Sequence, residues 1–173
     1  MMNSPLARAA GWLAVVALFF PGGIEAADEI AGETSNGAAA RILADSGVQG
    51  GLVVHVGCGD GRLTAALRAS DSYLVHGLDA DPANVEQARQ HLRQLGVYGP
   101  VSVDRLYGNR LPYIDNAVNL LVVSGPLSVA REEILRVLCP GGVALTVTTD
   151  QGQLTTDKFV KPRPAEVDDW THY

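Results

Sequence analysis

Three glycines at alternating positions, Gly57, Gly59 and Gly61, follow directly on the apolar run 52–56 (LVVHV). Glycine allows a tight turn, and its missing side chain lets a bound molecule approach the main chain closely. A helical pattern resumes at 63–69, and the first N–H groups of a helix attract an anionic group. These residues predict a strand, a turn and a helix that together hold a small ligand. The alternative is a tight turn with a structural role only.

The spacing of these glycines limits the class of ligand. The dinucleotide fingerprint requires a third glycine three residues after the second. Arg62 occupies that position, and Gly61 comes only two residues after Gly59. The spacing therefore argues against NAD or FAD, and a nucleotide-binding oxidoreductase domain is the least favoured alternative.

An acidic residue, Asp79, ends the second predicted strand, 73–78 (YLVHGL), and lies twenty residues after Gly59. In an open parallel sheet, ligands bind at the carboxyl ends of the strands, and an acid there accepts hydrogen bonds from both ribose hydroxyls. The alternative is a surface aspartate that caps the next helix, although Asp81 stands directly before Pro82 and suits that role. The glycines and Asp79 together favour ligand binding.

The elements that must position these residues alternate along the chain. Strands are predicted at 52–56, 73–78, 101–103, 117–123 and 143–149, and helices at 38–44, 63–69, 82–95 and 129–138. This order predicts an α/β fold, a Rossmann-like, doubly wound and mostly parallel sheet over residues 37–150. Residues 151–173 are polar and predict no strand, so we expect a tail, or a linker to a further domain, and a sheet that lacks its C-terminal strands.

Residues 1–26 have the pattern of a secretory signal peptide. Arg8 precedes twelve apolar or small residues, and Pro21 ends the run. A membrane span needs roughly 20 apolar residues, so this run is too short. We expect export to the periplasm or medium, a polar linker at 27–36 and no stable membrane span after cleavage. A buried N-terminal helix, in a cytoplasmic protein, is the alternative.

The composition indicates which partners to expect. The chain has 173 residues, 47% of them hydrophobic, which suits one domain with a sizeable core. Its net charge is −6 and it has no basic cluster, so nucleic acid is not an expected partner. Two cysteines, Cys58 and Cys139, are too few for a disulfide framework or a metal site.

Four motifs occur in the order seen in class I S-adenosylmethionine-dependent methyltransferases of the type 11 kind, which the chain resembles. They are residues 53–64 (VVHVGCGDGRLT), 77–79 (GLD), 111–113 (LPY) and 136–142 (RVLCPGG), the last similar to the family's RVLKPGG turn. The resemblance implies a methyl transfer from S-adenosylmethionine to an unidentified acceptor.

The resemblance also implies roles for individual residues. Gly57, Gly59 and Gly61 would line the methionine part of the cofactor, and Asp79 would hold the ribose. Asp104, after the third predicted strand, would reach the adenine amine. Asn109 also lies near the position where the family often has its acid.

Other positions depart from the family pattern. His55 stands where an acid is usual, and we expect a partly buried histidine satisfied by its neighbours. Asn119 replaces a common aspartate, and the segment 124–126 (SGP) lacks the acidic or Asn-Pro-Pro pattern of N-methylating sites. The sequence indicates no general base, so the catalytic residues stay undetermined.

A second hypothesis concerns the whole protein. Residues 158–173 are similar to a junction in large exported bacterial proteins, in which such a domain precedes a β-propeller of the pyrroloquinoline-quinone-enzyme type. The family's sheet has seven strands whereas five are predicted here, and S-adenosylmethionine is made in the cytoplasm. These points favour a non-catalytic binding or scaffold domain of an exported multidomain protein.

Overall fold

Parallel strands and crossover helices build the described part of the chain, which a computed structural model covers at residues 25–125, 129–150 and 153–164. The elements in chain order are α1 (Glu25–Ser46), β1 (Gly51–Val56), α2 (Arg62–Ala66), β2 (Tyr73–Asp79), α3 (Pro82–Gln94), β3 (Val101–Arg105), β4 (Val118–Ser124), α4 (Arg131–Val137), β5 (Leu138–Asp150) and β6 (Gln153–Val160). The proposed leader lies outside the described residues, apart from its last two positions, and so does 165–173.

The strands form one sheet in the order β3-β2-β1-β4-β5-β6. Neighbouring strands run parallel except β5 and β6, which are antiparallel. The Rossmann-like, doubly wound α/β fold is therefore confirmed. The strand order reverses direction between β1 and β4, which makes their carboxyl ends the topological switch point where ligands bind in such sheets.

Both faces of the sheet are covered by apolar side chains, because successive residues of a strand point to opposite faces. Val53 of β1 packs in the cluster that includes Ile42 of α1 and Leu92 of α3. Val54 packs in the other cluster, with Val137 of α4. The near-continuous apolar strands predicted from the sequence are thus explained by burial on two sides.

The expectation of no strand after Asp150 is wrong, because β6 pairs with β5 over eight residues. Its edge position explains the error, since one side of an edge strand meets water and polar residues are tolerated there. Lys158 of β6 and Lys161, which directly follows the strand, bind main-chain carbonyls at or next to the ends of helices. Lys158 Nζ donates to the carbonyl of Asp45 at 2.6 Å, and Lys161 Nζ donates to those of Leu135 and Leu138 at 2.6 and 2.8 Å. Ammonium groups suit the unpaired carbonyls at helix C-termini.

The expected linker at 27–36 also differs from the structure, in which these residues belong to α1. The segment contains two alanines and two glutamates, which favour helix, and polarity alone does not indicate a linker. Among the described residues, no helix is long and apolar enough to cross a membrane.

Candidate functional site

The loop from β1 to α2 is held by its own main chain and by the end of β2. Gly57 N and Cys58 N both donate to the carbonyl of Leu78, at 2.8 and 3.2 Å. Gly57 has φ +80°, and a Cβ there would lie 2.1 Å from the Ser124 carbonyl oxygen of β4. Gly59 has φ +53°, and a Cβ there would meet no atom within 4 Å. The loop therefore packs tightly at Gly57 and faces open space at Gly59.

The third glycine has a packing role. A Cβ on Gly61 would lie 2.8 Å from the Cβ of Ala88, so the missing side chain lets α3 approach the loop. α2 begins at the next residue, and Asp60 Oδ1 accepts from Arg62 N at 3.0 Å. The three predicted glycines therefore act differently, two by close packing and Gly59 by leaving space.

Asp79 lies at the carboxyl end of β2 and is only 6% exposed. Its Oδ2 accepts from Gly59 N at 2.9 Å, and its Oδ1 accepts from Asp81 N at 2.9 Å and Asn84 Nδ2 at 3.2 Å. A carboxylate offers about four lone-pair sites, so one site on Oδ2 is left for a further donor. The predicted capping role of Asp81 is confirmed, since its Oδ1 accepts from Ala83 N at 2.8 Å. Asp79 therefore holds the glycine loop and retains capacity for a ligand hydroxyl.

Asp104 lies on the neighbouring strand, paired with Leu78 in the register and not with Asp79. Its carboxylate accepts from Arg89 Nη2 at 2.6 Å and lies 3.2 Å from His76 Nε2. It lines a groove of about 510 Å³ together with Pro82 and Tyr107. The structure thus joins the glycine loop to the end of β2 through Leu78 and Asp79, while Asp104 faces a separate groove with residues of α3.

Asn109, the other residue considered for the adenine, lies elsewhere. It lines a cavity that also includes Arg136 of α4. Asn109 therefore lies at a cavity beside α4, whereas Asp104 lies at a groove beside α3.

His55 is more deeply buried than expected, at 1% exposure, and both ring nitrogens have hydroxyl partners. Nδ1 lies 2.8 Å from Thr64 Oγ1 of α2, and Nε2 lies 3.0 Å from Ser124 Oγ of β4. Burial lowers the pKa of His55 to about 4, against the opposite influence of Asp79 and Asp60. The ring is therefore neutral at physiological pH. The roles of Thr64 and Ser124 were not predicted, because no sequence spacing indicates a contact between residues so far apart in the chain.

A second polar cluster joins two of the sequence motifs. Arg136 donates to the carbonyl of Leu111 at 3.0 Å and to that of Tyr113 at 2.7 Å, and its guanidinium pairs with Glu133. Glu133 Oε1 also accepts from Leu111 N at 2.7 Å, and the Arg136 hydrogen bond holds the pKa of this carboxyl below its usual value. The arginine of the RVLCPGG motif therefore holds the LPY segment against α4. The order of the two motifs along the chain was visible in the sequence, but this contact was not.

The cysteines are free thiols. Cys58 is 3% exposed, and burial raises its pKa to about 12, so it stays protonated in the loop. Cys139 Sγ accepts from Asn119 Nδ2 at 3.6 Å, while Asn119 Oδ1 accepts from Leu52 N at 2.9 Å. Within the described ranges, no group of three or more His, Cys, Asp or Glu side chains could hold a metal ion.

Comparisons with known proteins indicate the family of the sequence and of the fold. Residues 53–142 match the family model described as methyltransferase domain. Methyltransferase-like protein 27 of Homo sapiens is 32% identical over 109 residues, which are 60% of this chain and 43% of that protein. The chain thus spans less than half the length of this human relative.

Two solved structures share the fold. Geranyl diphosphate methyltransferase in complex with SAM superimposes with a TM-score of 0.59 at 23% identity, over 76% of this chain and 57% of that one. The [4+2]-cyclase SpnF superimposes with a TM-score of 0.57 at 25% identity, over 65% and 44% of the two chains. This fold therefore carries a cyclisation as well as methyl transfer.

Proposed function

Since the family model matches more than half of the sequence, the chain belongs to the methyltransferase domain family, and we propose that it binds S-adenosylmethionine and transfers the methyl group to an acceptor. The observation that carries this proposal is the hydrogen bond from the main-chain N–H of Gly59 to the carboxylate of Asp79. It places a carboxylate and a glycine with open space above it at the carboxyl ends of β1 and β2. The neighbouring strands place this pair next to the switch point of the sheet.

The proposed roles follow from these positions. Gly57, Gly59 and Gly61 line the methionine part, where only Gly59 leaves room for contact with the main chain. Asp79 accepts a ribose hydroxyl on the remaining lone pair of Oδ2 and keeps its hydrogen bond from Gly59 N. Asp104 accepts the adenine amine from the groove beside β3, sharing its carboxylate with Arg89.

Bound S-adenosylmethionine supplies a methyl group on a positively charged sulfur, which a nucleophile attacks directly. The protein's part is to hold the acceptor in line and to exclude water, which alone lowers the barrier by several kcal/mol in well-oriented reactions. The carboxylate of Asp79 lies close enough to influence His55 electrostatically, so the carboxyl ends of these strands are also suited to a cationic cofactor.

Calorimetric titration of S-adenosylmethionine and S-adenosylhomocysteine into the full chain tests the proposal. We expect micromolar binding, about −8 kcal/mol, for the unchanged protein. Asp79→Asn keeps the size of the side chain and removes its charge, and it should weaken binding at least about tenfold, since hydrogen bonds to charged groups contribute roughly 1.5–3 kcal/mol. Asp157→Asn removes the same charge from β6, the strand at the other edge of the sheet, and this variant should bind both compounds normally.

Thermal unfolding of each variant shows whether it is folded. A folded, unchanged protein that binds neither compound refutes the proposal and favours the non-catalytic scaffold hypothesis. Equal affinities of Asp79→Asn and Asp157→Asn would refute the role of Asp79 alone.

The location of the protein is a separate proposal. We propose that residues 1–26 direct export and that the segment 158–173, whose first three residues end β6, leads towards a β-propeller. The support for export and for the propeller junction is the sequence pattern described above. An exported domain would catalyse methyl transfer only where S-adenosylmethionine is supplied outside the cytoplasm.

A further inference from the structure

Two polar side chains lie on either side of the point where the strand order reverses. His55 is the penultimate residue of β1, and Ser124 is the last residue of β4, the strand that pairs with β1. Ligands in doubly wound sheets bind in the crevice above the carboxyl ends of these two strands. The carbonyl of Ser124 also packs against Gly57, so this serine lies directly beside the glycine loop.

The two side chains belong to a hydrogen-bonded chain of three groups. Thr64 is fully buried in α2 and contacts Nδ1 of His55, whose Nε2 contacts the half-buried Ser124. A neutral imidazole donates from one nitrogen and accepts at the other. If the proton is on Nδ1, it is donated to Thr64, and Nε2 accepts from the hydroxyl of Ser124. The lone pairs of Ser124 Oγ are then left for a donor in the crevice.

We propose that Thr64, His55 and Ser124 form a relay in which His55 is a positioning residue and Ser124 Oγ accepts the hydroxyl of a neutral, oxygen-nucleophile methyl acceptor. This inference rests on the proposed methyl transfer and names the class of its acceptor. The sequence alone indicated no general base, and the relay supplies a route for the proton at the crevice.

The charges around the relay favour a neutral acceptor. Asp79 and Asp60 lie close enough to raise the proton affinity of His55. The carboxylate of Asp60 is paired with Arg62 at 3.3 Å, so Asp79 is the charge that disfavours a carboxylate or phosphate acceptor. An ammonium group has no lone pair to attack with until it loses a proton. His55, whose pKa burial lowers to about 4, is too weak a base to take a proton from an alkylammonium. It is strong enough to take one from a methylated hydroxyl, which is a far stronger acid.

The relay accounts for the proton that the acceptor must lose during methyl transfer. The acceptor oxygen gains the methyl carbon, and the electron pair of the broken carbon–sulfur bond stays on sulfur. The hydroxyl proton passes to Ser124 Oγ while the proton of Ser124 moves to Nε2 of His55. Since burial disfavours the charge of the imidazolium, the proton returns from Nε2 to Ser124 Oγ and leaves through the crevice after the methylated product.

The test uses the full chain with three probes of similar shape, namely phenol, benzylamine and benzoate. Nitrogen-15 NMR of the protein loaded with S-adenosylhomocysteine reports the tautomer of His55 and the affinity for phenol. Transfer of labelled methyl from S-adenosylmethionine reports the acceptor class. We expect the proton on Nδ1, a phenol-dependent shift of Nε2, and anisole as the main methylated product.

Two variants of Thr64 separate positioning from stability. Thr64→Val removes the hydroxyl and keeps the shape, whereas Thr64→Ser keeps the hydroxyl. We expect Thr64→Val to lose the Nδ1 proton preference and to lower phenol affinity and methylation by about three- to tenfold, the worth of one neutral hydrogen bond. Thr64→Ser should restore the Nδ1 proton preference and the phenol affinity and methylation. Ser124→Ala should lower phenol affinity and methylation at least as much as Thr64→Val. All three variants should bind S-adenosylhomocysteine within about twofold of the unchanged protein.

The outcomes distinguish this inference from the proposed function. A folded protein that does not bind S-adenosylhomocysteine removes the proposed function and the relay with it. If the protein binds that compound normally, three results would overturn the relay and leave the proposed function intact. They are a proton on Nε2 of His55, no binding or methylation of phenol, and N-methylbenzylamine or methyl benzoate as the main product. Unchanged phenol methylation in Thr64→Val also overturns it.

Discussion

Replacing Gly57 by alanine should unfold the cofactor loop and weaken the sheet beneath it. The residue has φ +80°, a conformation that costs an alanine about 1–2 kcal/mol. The new Cβ would lie 2.1 Å from the Ser124 carbonyl oxygen, which is main chain and cannot rotate away. Forcing atoms into a packed site typically costs about 1–3 kcal/mol more. We therefore expect Gly57→Ala to lower the free energy of unfolding by about 2–5 kcal/mol.

Gly59→Ala is the matched control two residues away. Its φ of +53° carries the same backbone cost of about 1–2 kcal/mol, but its Cβ meets no atom within 4 Å. The variant should fold, and its methyl group should occupy the open space assigned to the cofactor. We expect at least about a tenfold loss of S-adenosylhomocysteine affinity, with a free energy of unfolding only about 1–2 kcal/mol below that of the unchanged protein.

Urea unfolding followed by circular dichroism gives both stabilities, and calorimetry gives the affinities. Equal stability losses in the two variants would refute the argument from the Ser124 contact. Unchanged cofactor affinity in a folded Gly59→Ala would refute the placement of the cofactor over this glycine.

Three further predictions concern other parts of the chain. His55 gains a proton below pH about 6.5 in the unfolded chain, but only near pH 4 in the folded protein. The free energy of unfolding should therefore fall by up to about 3 kcal/mol between pH 7 and pH 4. Urea titrations of His55→Gln should lack this part of the pH dependence. Lys161→Met should lower the free energy of unfolding by about 1–2 kcal/mol in urea, because its ammonium is half-buried on the α4 carbonyls, and the more exposed Lys158→Met should lose less. If residues 1–26 are a signal peptide, mass spectrometry of the secreted protein should find Ala27 at its N-terminus, and an uncleaved chain would contradict export.

The sequence was sufficient for the parts of the fold that repeat a pattern. The apolar runs of β1 and β4 and the Asp81-Pro82 start of α3 predicted elements that the structure confirms, because burial and capping act within a few residues. β6 was missed because an edge strand of polar residues is stabilised by pairing with β5 and by lysine contacts to distant helices. Such contacts have no local sequence pattern.

The candidate site divides in the same way. The glycines and Asp79 were predicted, because the type of each residue and its place after a strand limit what it can do. The contacts of Thr64, Asn84 and Ser124 were missed, because each depends on which strands become neighbours. A sequence shows the ends of the strands, whereas the register decides which side chains meet there.

The glycine loop is shaped mainly by the unit that follows it. Leu78 and Asp79 of β2 accept hydrogen bonds from its main chain, and Ala88 of α3 packs against Gly61, while α2 has only five residues. A change at the end of β2 should therefore move the loop more than a change on the exposed side of α2. Asp79 has two tasks in this arrangement, since the carboxylate proposed to bind the ribose also sets the position of Gly59 before any ligand arrives. Its loss should lower cofactor affinity by removing a contact and by leaving the loop without its preformed shape.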